Sequence, residues 1–383
     1  MSFLSNFFQK DEARAIGVDI GSSAIKIVQI KRKNGQAHLE TYGELALGPY
    51  AGLTVGQAVQ LPVDKISTAL VDLMKEKEVG VTTKHAGLSI PFSSALMSVV
   101  DMPDVGNSKL ASMIPLEARK YIPVPIQEVM LDWSVIPKSE VQEEHEPSVS
   151  VIPGKDGVGG FGSDSLPSSR SRVEVLVVAI HNDTIARYQD IVTRAGLEAG
   201  FFEIEIFSTM RSVLDETLRP VLIMDMGAAS TKLYIVERGI IRASHTVNRG
   251  AQDITAAMAQ SMSITPERAE VLKRETGLQG TDPALTQVIT LVLDHIFGEV
   301  NTTLLTFEKK YNKTVAKIMM VGGGASLRGI LDLAKSNFKT QVELGLPFNK
   351  VSAPAFLENI LRQTGPEFAV AIGLALRKLG EEK

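Results

Sequence analysis

The chain contains no cysteine, which excludes disulfides and thiolate metal centres, and its six histidines are scattered without the spacing a zinc site requires. It also lacks a charge excess. With 40 basic against 44 acidic side chains and a formal net charge of −4, there is no basic field to capture a phosphate backbone, and nucleic acid is not expected as a partner. No apolar run reaches the roughly 20 residues that cross a bilayer, the longest being short stretches such as Val173 to Ile180. The first residues, with Phe3, Leu4, Phe7 and Phe8 at helical spacing, are too short in their apolar part for a secretory signal. They read as a frayed terminus or as a weak interfacial or partner-docking helix. These absences together predict a protein of the reducing cytoplasm.

What is present is a chain of 383 residues, 44% apolar, enough for a large core in two or three domains. Two segments, Ala15 to Ile30 and Val221 to Val236, share one pattern of β-rich strand, short glycine and serine turn, and second β-rich strand. Each reads as a hairpin whose small turn lets backbone approach a ligand. Their separation by about half the chain predicts two related α/β domains with a ligand cleft between them. Residues 139–171, rich in Glu, Pro, Ser and Gly, bury too little apolar surface to offset ordering and read as a disordered surface loop. Within it, Gly157-Val-Gly-Gly-Phe-Gly162 mimics a phosphate loop but has no strand before it and no helix after it. Further on, Thr265, Pro266 and Gly277 cap, start and end a charged helix. Gln287 to Glu308 is an amphipathic helix, and Phe368 to Arg377 a buried closing helix in which Gly373 and Ala375 permit close packing.

The chemistry-bearing residues follow this organisation. Asp19 and Asp225 stand at matching places at the ends of the first strands. Facing each other across a cleft, they would hold a hydrated magnesium ion, which keeps most of its waters. A lone strand-end aspartate more often caps its own turn; the repetition of the whole pattern favours ligation. The turns Gly21-Ser22-Ser23 and Gly227-Ala228-Ala229-Ser230-Thr231 would offer N–H groups and hydroxyls to phosphates. Lys26 reads as an outward charge or a phosphate contact. A strand from Lys317 runs into Gly322, Gly323 and Gly324, where bare backbone admits a flat base and ribose. A helix start expected at Ser326 would add its positive dipole.

This order of motifs resembles the actin-like ATPase superfamily over nearly the whole chain, and the run Glu117-Ala-Arg-Lys-Tyr-Ile-Pro123 with the following Leu131-Asp132 strand is similar to the FtsA/PilM group within it. The resemblance implies a duplicated, ribonuclease H-like α/β fold that binds ATP and magnesium. Residues 15–83 and 182–219 would form the core of domain 1. Residues 84–181 would be a small inserted subdomain in place of the actin 1B position, and 220–383 domain 2, with subdomain 2B at about 246–314; residues 1–14 would precede them as an amphipathic segment. It also implies that Lys273 and Glu275 lie beside the nucleoside, unless they are a solvated helix face. Glu205 would orient an attacking water, unless it pairs with Arg211 or Arg219. Tyr121 and Ile122, held at a helix end by Pro123 and Pro125, would be either core or the contact for the cytoplasmic N-terminal peptide of a PilN-like protein. Ala228 and Ala229 stand where many relatives have glycines, and Lys232 where an acidic or neutral residue is common, which speaks against rapid hydrolysis; a weak or slow ATPase is the most expected.

The implied function is a nucleotide-gated scaffold of type IV pilus assembly, at the inner face of the cytoplasmic membrane. It would contact the membrane indirectly through its partner, and would meet other pilus proteins, including the assembly ATPase, and other copies of itself. An FtsA-like filament is the first alternative; the end at Leu379-Gly-Glu-Glu-Lys383, without an amphipathic tail, favours the pilus reading. A small-molecule kinase of the same superfamily is the second, and it would need a substrate base that no additional Asp or His constellation supplies.

Overall fold

The computed structural model describes residues 13–136, 172–215 and 218–381. The Phe-containing N-terminal segment and the loop at 139–171 lie outside the described residues. In chain order the strands are β1 Arg14–Ile20, β2 Ala24–Lys33, β3 Gln36–Ala46, β4 His85–Ile90, β5 Ala95–Pro103, β6 Val129–Val135, β7 Arg172–His181, β8 Glu198–Ile204, β9 Val221–Met226, β10 Thr231–Glu237, β11 Ile240–Val247, β12 Lys317–Val321 and β13 Gln341–Leu344. The helices are α1 Val63–Lys75, α2 Asn107–Ala118, α3 Asn182–Ala195, α4 Glu205–Val213, α5 Ala251–Met262, α6 Pro266–Thr276, α7 Pro283–Tyr311, α8 Ile330–Asn337, α9 Glu358–Thr364 and α10 Ala369–Glu381.

The chain divides into two compact units, one combining the residues up to Phe92 with those from Ile185 onward, the other running from Ser93 to Thr184. The larger unit carries two five-stranded sheets, ordered β3-β2-β1-β4-β8 and β11-β10-β9-β12-β13. In each, three antiparallel strands are followed by two parallel ones, so the two hairpins read from the sequence are the same piece of architecture used twice. Their central strands, β1 and β9, are buried almost throughout. Both faces are covered, which is why they read as continuous apolar runs rather than as alternation. β4 belongs to the first sheet, so the separate unit begins at Ser93 and not at the residue 84 expected for the insert.

Small residues let the closing helix α10 reach the first sheet. A Cβ on Gly17 of β1 would lie 1.8 Å from the Ala371 carbonyl oxygen, and one on Gly373 would lie 1.9 Å from that of Ser208 on α4. Under the second sheet, α7 presents Ile289, Leu293, Ile296, Phe297 and Val300 at helical spacing to Leu233, Ile235 and Met258. This helix of 29 residues is long and apolar enough, by length and composition, to cross a bilayer, which corrects the expectation that no segment is. One stripe of it, including Ile289, Leu293, Ile296, Phe297 and Val300, is buried against the core, whereas Leu291 and Leu305 are exposed. It also starts earlier than expected, because Asp282 accepts a hydrogen bond from the Ala284 amide and Pro283 occupies the first turn. α6 follows its reading, with Thr265 accepting from the Arg268 amide and Gly277 after its last residue.

The smaller unit is an antiparallel sheet, β5-β7-β6, with α2 beside it and a core of Val100, Met102, Leu110, Ile114, Val175 and Val177. Ile122 is buried in that core, whereas Tyr121 is 49% exposed. The expected pair therefore splits, Ile122 belonging to packing and Tyr121 to the surface.

Candidate functional site

A cavity of about 370 Å³ in the larger unit is lined by residues of both sheets, within the range of small-ligand sites. The two hairpin turns and the triple-glycine turn all open onto it. From the first come Asp19, Gly21, Ser22, Ser23 and Lys26; from the second Asp225, Gly227 and Ala228; from the third Gly322, Gly323, Gly324 and Ser326. Each hairpin turn closes in the same way, the Gly21 amide donating to the Ala24 carbonyl at 3.0 Å and the Gly227 amide to the Ser230 carbonyl at 3.0 Å.

Not every expected residue reaches the cavity. Ala229, Ser230 and Thr231 do not line it, although Ser23 and Ala24 at the matching places of the first turn do. Thr231 is buried and its hydroxyl donates to the Arg249 carbonyl at 2.9 Å. Glu275 is exposed and lies off the cavity. On a 3.6-residue helix the face that carries Lys273 also carries Glu270 and Arg274, and these three line the wall. The helix expected at Ser326 is instead a single 3-10 turn, Gly323–Ser326; Gly329 then breaks the path with φ of 81° before α8 begins at Ile330, so no α-helix N-terminus starts there. Gly322 has φ of 84°, and a Cβ on it would stand 2.5 Å from Asp225 Oδ1. The third turn is thus seated directly against the second acidic residue.

The electrostatics of the floor are set by Asp19, Glu205, Asp225 and Lys232. Asp19 Oδ1 accepts a hydrogen bond from Ser89 Oγ at 2.8 Å. Burial, with the neighbouring Glu205 adding to it and Lys26 opposing, pushes its carboxyl up to about 6. Glu205, the first residue of α4, accepts from the Phe92 amide at 2.6 Å and pairs with Lys232 Nζ at 2.8 Å. Of the two arginines weighed as its partners, Arg211 bonds Glu203 instead, at 2.7 and 2.8 Å. Asp225 Oδ2 accepts from the Tyr234 hydroxyl at 3.1 Å and lies 3.8 Å from Lys232 Nζ. Burial pulls the Lys232 ammonium down, but Glu205 and then Asp225 outweigh it and hold it well above the ordinary lysine range.

A second set of charged groups also lines the cavity. Lys26 pairs with Glu44 at 3.1 Å, and Glu367 is pushed up to about 7 by burial and by Glu44. Lys273 is held by Glu270 at 2.6 Å and donates to Thr255 Oγ1 at 2.8 Å. Burial keeps its ammonium below the usual lysine range although Glu270 pulls the other way. Ser89, Glu44 and Glu367 escaped sequence reasoning because none belongs to a local motif and each arrives from a different element. Glu270 and Arg274 were accessible from the helical period once α6 was delimited.

A hydrated magnesium ion suits this donor set in one form only. Among the described residues no three His, Asp or Glu side chains gather to cage a metal, so an ion at Asp19 and Asp225 would take its remaining ligands from water and phosphate, as Mg²⁺ commonly does.

The raised Asp19 carboxyl carries a stability consequence. Its folded value of about 6 exceeds the ordinary 3.8, so its cost is absent below about pH 4, grows as pH rises toward 6 and is constant above. Asp19→Asn, which keeps the acceptor for Ser89, is therefore expected to raise the unfolding free energy of the ligand-free chain at pH 7.5 by about 3 kcal/mol. The gain should vanish near pH 4, and urea unfolding at both pH values measures it.

Comparison with known proteins places this architecture. A family model described as type IV pilus assembly protein PilM matches residues 17–153 and 164–379. Among solved structures, the PilM-PilN type IV pilus biogenesis complex superposes with a TM-score of 0.76 at 24% identity, covering 96% of this chain and 99% of that one. The ethanolamine utilization protein EutJ from Carboxydothermus hydrogenoformans superposes with a TM-score of 0.52 at 15% identity, covering 95% and 89%. Among curated proteins, the cell division protein FtsA of Streptococcus pneumoniae is 22% identical over 377 residues, 89% of this chain and 77% of its own. FtsA of Escherichia coli is 22% identical over 297 residues, 68% of each. The duplicated sheets, the shared cavity and the match along most of the sequence agree: the chain has the actin-like fold and belongs to the PilM family of type IV pilus assembly proteins.

Proposed function

We propose that this chain is an ATP-binding scaffold of type IV pilus assembly whose nucleotide state biases its affinity for a PilN-like cytoplasmic peptide. The observation that carries the reading is the convergence of both Asp-containing turns and the triple-glycine turn on one cavity. In this reading Gly21, Ser22, Ser23, Gly227 and Ala228 hold the phosphates, with Lys26 supplying charge. The nucleoside lies against Gly322 to Gly324 and the Lys273 side of α6. Asp19 and Asp225 would hold the magnesium ion through its waters, and the ion would supply neutralisation of the triphosphate charge.

Domain 1 then corresponds to the first sheet, domain 2 to the second, and the unit from Ser93 to Thr184 to the inserted subdomain. Tyr121 at 49%, Leu116 at 63% and Met130 at 55% exposure give that unit apolar side chains at its surface, and a short peptide with apolar anchors would dock there. Membrane recruitment would be indirect, through the protein that carries the peptide, on the cytoplasmic side. Ligand coupling requires that the nucleotide bind one domain arrangement better than another.

Calorimetric titration with ATP and magnesium, with and without the N-terminal peptide of a PilN-like protein, tests both halves. Binding of each and a change in peptide affinity with nucleotide are expected. Asp225→Ala should lose ATP and with it the coupling; peptide binding that ignores nucleotide in the wild type would defeat the gating claim. The similarity to FtsA supports a second reading, a filament-forming protein, which nucleotide-dependent sedimentation of the purified chain would reveal.

A further inference from the structure

The two hairpins repeat more than their turns. In each, a lysine follows the aspartate by seven residues, Lys26 after Asp19 and Lys232 after Asp225, and the antiparallel register sets each lysine directly opposite its aspartate. Directly opposed residues share a face of the sheet, and both lysines line the cavity. Yet the duplicates are partnered differently. Lys26 lies opposite Glu44 on the neighbouring strand and pairs with it inside its own sheet. Lys232 lies opposite Thr246, which offers no charge, and reaches instead to Glu205 at the start of α4, following the last strand of the first sheet.

With that pairing, neither carboxylate oxygen of Glu205 is without a partner. One carboxylate oxygen accepts the Phe92 amide at 2.6 Å and the other meets Lys232 Nζ at 2.8 Å. Hydrolysis of a nucleoside triphosphate needs a water oriented in line with the γ-phosphorus. Its oxygen forms the new P–O bond, the bond to the β–γ bridging oxygen breaks, and the water proton passes to an acceptor, leaving the diphosphate and inorganic phosphate. A carboxylate whose two oxygens are already bonded, one of them to an ammonium, is a poor holder of that water and a weak acceptor of its proton. We propose that Lys232 is a positioning residue that keeps Glu205 out of the hydrolytic role, so that the cavity retains its triphosphate intact rather than turning it over.

This inference rests on the nucleotide-binding reading, and the experiment separates the two. ATP binding to the full chain is measured by calorimetry, and phosphate release from ATP in the presence of magnesium is followed for the wild type, Lys232→Met, Lys232→Arg and the double variant Lys232→Met/Glu205→Gln. Release at least about tenfold faster is expected for Lys232→Met, in keeping with the weight of a positioned acid or base. Lys232→Arg, which keeps the charge, should stay near the wild-type rate, and the double variant should lose the gain. A Lys232→Met protein that binds ATP and hydrolyses it no faster overturns the inference while leaving the binding reading in place. Absence of ATP binding by the wild type overturns both. Should Lys232→Met fail to fold, the wild type decides. Release no faster than about 10⁻³ s⁻¹, the scale of an unassisted switch site, supports the proposal, and turnover of about 1 s⁻¹ or more, an ordinary enzyme rate, refutes it.

Discussion

Glu203→Ala is expected to lower the unfolding free energy by about 3 kcal/mol, the scale for removing one member of a buried ionic network. Glu203, on β8, is 7% exposed and receives Arg211 at 2.7 and 2.8 Å, Arg377 at 2.7 Å and the Ser208 hydroxyl. It therefore ties the sheet edge to both α4 and α10. Burial alone would raise its carboxyl, but Arg211 first, and then Ser208 and Arg377, hold it below its ordinary value. The two arginines are each about a third exposed, so water can partly resolvate them after the substitution, which keeps the cost toward the lower end. A lowered carboxyl gives stability that is present above the unfolded value, 4.5, and is lost as pH falls through the folded one. Urea unfolding should accordingly show a constant difference between wild type and variant above about pH 5 and a shrinking one below 4.

Gly322→Ala is expected to abolish ATP binding and to cost about 3 kcal/mol of stability. With φ of 84° and ψ of 166°, Gly322 occupies a region that side-chain-bearing residues enter at a cost of about 1–3 kcal/mol. The added Cβ would also stand 2.5 Å from Asp225 Oδ1 and 2.6 Å from the Met226 carbonyl oxygen. Neither the second turn nor its carboxylate could stay in place, so the damage reaches the phosphate end although the residue belongs to the nucleoside end. Calorimetry with ATP and a chemical unfolding curve measure the two effects separately. Gly323→Ala, whose Cβ would meet nothing nearer than Glu367 Oε2 at 3.7 Å, is the control and should stay close to wild type in stability.

Both hairpins were legible because strand, turn and strand are contiguous, and the alternation of backbone-permissive turns with β-branched runs is a local signal. Thr265, Pro266 and Gly277 bounded α6 for the same reason. For Glu275 the resemblance implied a place beside the nucleoside and the alternative was a solvated helix face; it is exposed, on a different face of α6 from Lys273. Ser326 was misread because three glycines before a polar residue resemble a helix start, while the left-handed conformation at Gly329 delays the helix to Ile330. Ile122 and Tyr121 are neighbours in sequence with opposite fates, which only the position of the β5-β7-β6 sheet could separate.

The amino-acid sequence by itself determined the duplication, the three glycine-bearing turns and the two aspartates, since each is encoded within a dozen residues whose backbone preferences need no distant support. Only the tertiary structure decided which charges meet. Glu205 with Lys232, Glu203 with Arg211 and Arg377, and Glu44 with Lys26 are choices among many carboxylates and cations, made by the register of strands and the seating of α4 and α10. Ion pairing acts over a few ångströms, and the chain carries no local record of which distant residue will come that close.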